Sequence, residues 1–190
     1  TSSGALVGAL WVSGLSTQEI EEEVFQERPI AQLSLHPYIW RGLFSLRTLV
    51  VFLQDIALEQ LEEASLPFGV GVCTSDWTPQ IKTSGPLAEF VVASCSIPYL
   101  FSSVCIDGVR YCDGGAGDRI GAKGWKDLRS PQQSVVHLVE RSRGAKREEG
   151  LDGSIVVRSP RSGVSLFNFG DYKARIERTR LKTHEALKKM

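Results

Sequence analysis

Helices alternating with short apolar strands predict an α/β fold for this 190-residue chain. Three stretches carry the prediction. Residues 5–13 are apolar and rich in small side chains, as in a buried helix. Residues 68–74 form a short apolar run with β-branched content, as in a buried strand. Asp107-Gly108 lies between the apolar runs 104–106 and 109–112, a two-residue hairpin signal.

Taken in order, the helix over 5–13 is apolar nearly all round, with Trp11 expected in the core. Gly8 allows close packing and Gly14 ends the helix. Ser16 and Glu19 then have the spacing of a capping box, opening a second helix with an acidic, solvated face. Residues 38–64 have a mostly helical pattern that Pro67 breaks. Trp77, Pro79, Gly85 and Pro86 mark residues 77–86 as turn and loop. A short helix is expected over 87–95, stopping near Pro98. Residues 134–139 and 155–158 read as two further strands, joined by a charged, glycine-bearing loop over 141–153. Residues 171–190 form an amphipathic helix capped by Asp171, with Tyr172, Ile176, Leu187 and Met190 on its apolar stripe, filled in by Thr179 and Thr183.

Composition narrows the function classes. Hydrophobic residues at 42% and charged residues at 23% are globular values, which exclude a disordered tail, a collagen-like fibre and a coiled coil. Twenty-two basic residues balance twenty-two acidic ones, so the basic excess of a nucleic-acid binder is missing. No uncharged run reaches the ~20 residues of a membrane span without a glycine or proline break. Cys73, Cys95, Cys105 and Cys112 form no C-x-x-C pair and the three histidines are scattered, so no metal site is expected. The four are expected as buried free thiols of a reducing compartment.

The opening Thr1-Ser2-Ser3-Gly4, followed by the small-residue helix, has the form of the end of a G-x-S-x-G turn. Such a turn exposes a serine at the tip of a strand-to-helix junction, where the helix N-terminus faces a developing oxyanion. The frame selects Ser2, because Gly4 follows two positions later. Ser3 would need glycine at positions 1 and 5, which hold Thr1 and Ala5. An ordinary helix cap by Ser2 or Ser3 is the plainer alternative. A serine needs a base. Asp113, in Tyr111-Cys112-Asp113-Gly114-Gly115, is one candidate. His137 is another, although its Val-Val-His-Leu-Val setting expects a buried structural histidine.

Three blocks together resemble the patatin-like phospholipases. Residues 1–10 are similar to that family's G-T-S-x-G elbow and helix, residues 92–101 to its A-S-x-x-x-P-x-x-F segment, and residues 106–115 to its D-G-x-x-Y-x-D-G-[AG] block. Residues 163–169 and the helix after them are similar to the end of bacterial members. The resemblance implies a three-layer α/β/α sandwich with a mixed central sheet, as one domain over residues 1–190. It implies a lipid acyl hydrolase with a catalytic Ser2–Asp113 dyad, the Ser3 N–H and Gly4 completing the elbow, and no cofactor. The substrate would be a lipid or lipid-like ester, with transient contact at a membrane surface and a cytoplasmic or peripheral-membrane location. The family's glycine-rich oxyanion loop and first strand lie upstream of the elbow and have no counterpart here, so the chain is expected to be N-terminally incomplete and inactive in isolation. After Gly115, Ala116-Gly117-Asp118-Arg119 departs from the Asn-x-Pro of many relatives. Two other functions stay open: an α/β-hydrolase-like esterase with a Ser2–Asp113–His137 triad, and a non-catalytic lipid-binding domain.

Overall fold

A computed structural model describes residues 1–25, 34–35, 42–140, 150–160 and 170–188. They group into two compact units, Thr1–Gly121 and Ala122–Met190. The class is α/β. The described residues hold six α-helices, and their strand pairs are both antiparallel and parallel. This set is compatible with a three-layer α/β/α sandwich.

The first unit opens with α1 (Ser3–Val12) and α2 (Thr17–Phe25). Gly14 stops α1 as the sequence predicts. It sits at φ 99°, its N–H donates to Trp11 O, and the Leu15 N–H reaches back to Leu10 O at 3.2 Å. This paired pattern satisfies the last helical carbonyls. The capping box also forms: the Ser16 N–H donates to Glu19 Oε2 at 2.8 Å, and the Glu19 N–H donates to Ser16 Oγ at 3.3 Å. The expectation for α1 itself needs correction. Ala5, Ala9 and Leu10 are buried, but Val7 and Trp11 are exposed, Trp11 at 57%. A helix apolar on every side still buries only the face that meets a neighbour.

A short ribbon of β1 (Ser34–Leu35) and β2 (Phe44–Ser45) precedes α3 (Arg47–Ile56) and a 3₁₀ turn at Leu61–Glu63. The mostly helical pattern over 38–64 is therefore only partly realised, and residues 38–41 lie outside the described residues. Phe44 is extended because residues far along the chain claim its backbone: its N–H donates to Leu100 O, and the Ser102 N–H donates to Phe44 O, both at 3.0 Å.

The main sheet has β3 (Val70–Thr74), β4 (Pro79–Lys82), β5 (Val104–Ile106) and β6 (Val109–Asp113) in the order β4-β3-β6-β5, each pair antiparallel. β4 corrects the loop expected over 77–86. Its Pro79 occupies the first position of an edge strand, where a missing N–H costs no ladder bond. The β5–β6 hairpin turns through Asp107 at φ 49° and Gly108 at φ 79°, the pair of left-handed residues a tight hairpin uses.

α4 (Leu87–Cys95) packs on this sheet, burying every residue from Leu87 to Ser94 except Glu89. Phe90 of α4 meets Tyr111 of β6 edge-on at 5.4 Å between ring centroids, a contact worth about 0.5–1.5 kcal/mol beyond its buried area. Leu10, Leu53, Leu61, Val70, Val72, Leu87 and Val91 complete the fully buried core.

The second unit holds α5 (Ala122–Arg129), the parallel pair β7 (Ser134–Val139) and β8 (Ser154–Ser159), and α6 (Tyr172–Leu187). Asp171 caps α6 through the Ala174 N–H at 3.2 Å. Ile176 and Leu187 of its expected apolar stripe are exposed, while Thr179 and Thr183 are half-buried. Met190 and residues 141–149 and 163–169 lie outside the described residues.

Two outcomes follow. Gly14→Ala meets no steric neighbour within 4 Å, so its cost is the left-handed backbone alone, about 1–2 kcal/mol by thermal denaturation. The hydrogen bonds from Ser16 hold the Glu19 carboxyl below its ordinary 4.5. The folded chain therefore binds that proton less readily than the unfolded one. The capping contribution is present above 4.5 and is lost as pH falls through the lowered folded value. An NMR titration of Glu19 should give a midpoint below 4.5, and Ser16→Ala should move it upward.

Candidate active site

Ser2 immediately precedes α1 with φ 52° and ψ −133°. A cap residue normally has extended backbone and spends its side chain on the helix. Ser2 does neither, for no cap hydrogen bond forms from its side chain. The plainer cap alternative therefore does not hold, and the hydroxyl is left for other work. Holding a non-glycine residue in this region costs on the order of 1–3 kcal/mol.

The start of α1 leaves one backbone donor over. The Gly4 N–H donates to Thr1 O, and the Ala5 and Leu6 N–H groups donate to Ser2 O. The Ser2 N–H donates to Ser94 Oγ at 2.8 Å. The Ser3 N–H has no partner among the described residues, and Ser3 and Gly4 are exposed. An added Cβ at Gly4 would meet nothing within 4 Å. Gly71 and Gly114 are among the crowded glycines. A side chain on Gly71 would overlap the Thr1 methyl, and one on Gly114 would overlap the Gly71 carbonyl.

Asp113 closes β6 and is buried. Its N–H donates to Ser96 O at 2.9 Å, and its Oδ1 accepts the Gly115 N–H at 2.7 Å. In the ladder it stands opposite Val72. Ser94, fully buried on α4, donates its hydroxyl to Gly71 O at 2.6 Å while accepting from Ser2. Ser2 and Asp113 are thus tied to consecutive residues of one strand, Gly71 and Val72. The turn after Asp113 wraps the same place. Asp118 Oδ1 accepts the N–H groups of Ile120 and Gly121, and Thr1 Oγ1 donates to Arg119 O at 2.6 Å. The sequence points to Ser2, Asp113, Ser3 and Gly4, but gives Ser94 no role. Its signal is the Ala93-Ser94 pair within the block over 92–101.

Charge at this place is felt by its neighbours. Burial, and then the Asp113 carboxylate, push the Cys95 thiol up to about 12. Burial, then Cys73 and Asp113, push Cys112 up to about 11. Burial also raises Cys73, which stands opposite Cys112 in the ladder. All four cysteines are free, but only Cys73 is buried: Cys95 and Cys112 are half-buried and Cys105 is exposed, against the expectation that all are buried.

His137 belongs to the other unit, on β7. It is exposed rather than buried, and its Nε2 shares a hydrogen bond with Ser159 Oγ at 2.9 Å. Ser159 in turn meets Thr179 Oγ1 at 3.1 Å. The ring is a satisfied link between β7, β8 and α6. Among the described residues no three His, Cys, Asp or Glu side chains gather to hold a metal, and no helix is long and apolar enough to cross a membrane.

The family model described as Patatin-like phospholipase matches residues 1–124. That span takes in α1, the main sheet, α4 and the whole cluster around Gly71. A comparison with curated proteins gives no match.

Thiol chemistry checks the electrostatics. At pH 8 Cys95 and Cys112, with values of about 12 and 11, leave about one thiol in a thousand or fewer as thiolate. Iodoacetamide followed by peptide mass spectrometry should modify Cys105 first. Faster modification of Cys95 than of Cys105 would contradict the buried, Asp113-facing environment.

Proposed function

The chain belongs to the patatin-like phospholipase family, and from that premise we propose that it cleaves acyl esters of lipids through a Ser2–Asp113 dyad and an acyl-enzyme intermediate. The observation that carries the proposal is the unspent hydroxyl of strained Ser2, tied through Ser94 to the strand that faces buried Asp113.

Ser2 Oγ attacks the ester carbonyl while its proton passes to Asp113. The carbonyl oxygen, now negative, is met by the Ser3 N–H at the positive end of α1. Collapse of the adduct breaks the ester bond, and the departing alcohol takes the proton from Asp113. Water then loses a proton to Asp113, attacks the acyl-Ser2 carbonyl and releases the fatty acid, with Ser2 recovering its proton. A carboxylate with an ordinary value near ~4 is a weak base. Burial of Asp113 supports the role by removing competing water. The scheme needs no imidazole, and the engagement of His137 with Ser159 favours it over a triad. Transient contact with a lipid surface would present the substrate. Exposed Ile176, Leu181 and Leu187 beside the basic residues of α6 support such contact.

Fluorophosphonate labelling and turnover of a fluorogenic phospholipid by the purified full-length protein test the proposal. Ser2→Ala should abolish both, and Asp113→Ala should lower turnover about 10²–10⁴-fold. His137→Ala should stay within about twofold, whereas a triad enzyme would lose nearly all activity. Equal labelling of wild type and Ser2→Ala would remove the assignment. A folded wild type without labelling would favour a lipid-binding domain.

A further inference from the structure

Ser94 and Ser96 lie two residues apart around the C-terminal end of α4, and both are almost completely buried. Their hydroxyls behave differently. Ser96 Oγ donates to Val92 O, four residues back, at 2.8 Å. This is the usual local use of a hydroxyl at a helix end. Ser94 does not bond back to its own helix. It donates to Gly71 O on β3 at 2.6 Å and accepts the Ser2 N–H at 2.8 Å. A serine hydroxyl has one proton to give and two lone pairs. Its proton is committed to the sheet, so the oxygen must face α1 as an acceptor. Ser2 sits at φ 52° where that acceptor meets its N–H. An unrestrained residue before a helix relaxes to extended backbone.

Building on the reading of Ser2 as nucleophile, we propose that Ser94 is a positioning residue of the acyl transfer: its hydroxyl, oriented by the Gly71 carbonyl, holds Ser2 in its strained conformation by taking the Ser2 N–H. Two consequences serve the chemistry. The Ser2 hydroxyl stays out of a cap hydrogen bond with the helix it precedes. The Ser2 N–H is also withdrawn, so the Ser3 N–H becomes the first free donor that a developing oxyanion meets. Ser94 touches neither the acyl group nor the transferred proton, and acts through the backbone of Ser2.

The test compares Ser94→Ala, Ser94→Thr and Ser2→Ala with wild type in the full-length protein. Ser13→Ala serves as control, because Ser13 Oγ makes a similar bridge at the other end of α1, accepting the Leu58 N–H at 3.0 Å. Circular dichroism and thermal melting report folding. Fluorophosphonate labelling reports both the rate constant and the final stoichiometry.

Ser94→Ala should label to full stoichiometry at Ser2 but about 10–100-fold more slowly, with the loss in kcat and KM within about twofold. Ser94→Thr, which keeps the hydroxyl, should be faster than Ser94→Ala. Ser13→Ala should lower the melting temperature and leave the rate unchanged. A folded Ser94→Ala that labels at the wild-type rate overturns the positioning role and leaves Ser2 standing. The same holds for a reduced end-point at an unchanged rate. Labelling of Ser2→Ala like wild type overturns the nucleophile itself. If Ser94→Ala does not fold, Ser94→Cys, similar in size but weaker as donor and acceptor, carries the same expectation.

Discussion

One buried hydroxyl joins the start of α1 to the main sheet. Ser94 Oγ lies between the Ser2 N–H and the Gly71 carbonyl, on a side chain with no exposed surface. In such a place an unpaired donor or acceptor costs about 1–3 kcal/mol. Three elements therefore constrain one another: α4 supplies the hydroxyl, β3 orients it, and α1 must begin where its N–H can meet it. The sharp backbone of Ser2 is the local price of that agreement. Its reward is a hydroxyl not consumed by capping the helix it precedes.

Close backbone approach is the second constraint, and glycine meets it. Thr1 lies over Gly71, and Gly114 lies against the Gly71 carbonyl. A Cβ at either position would push the α1 start or the Asp113 turn away from β3. Asp113 beside them is buried. Its carboxylate is anchored by the Gly115 N–H, and its charge falls on Cys95 and Cys112, which stay protonated as a result of burial and that charge. The glycine that follows Asp113 thus has a packing cause, its close approach to the Gly71 carbonyl.

The sequence makes local devices legible. The Gly14 stop, the Ser16–Glu19 box, the Asp107-Gly108 hairpin and the Asp171 cap form as expected, because each is complete within about five residues. The two ends of the candidate site are legible for the same reason: Ser2 at a small-residue helix start, and Asp113 at a strand end followed by glycines. Strand partners are less legible. Phe44 looks helical until Leu100 and Ser102 take its backbone groups, and Pro79–Lys82 looks like loop until β3 offers an edge.

Burial follows the same division. Trp11 is as apolar as Leu10, yet one is exposed and the other has no exposed surface. Residue type cannot distinguish them, because only a neighbouring element makes a helix face interior. His137 sits among valines and leucine but on the open side of β7. Short-range hydrogen bonds and the order of chemical groups were thus written in the chain, and with them the candidate nucleophile and acid. The bridge from Ser2 to the main sheet was not. Ser94 acts on residues 92 and 23 positions away, and an interaction over such separations exists only once the sheet and helices have packed.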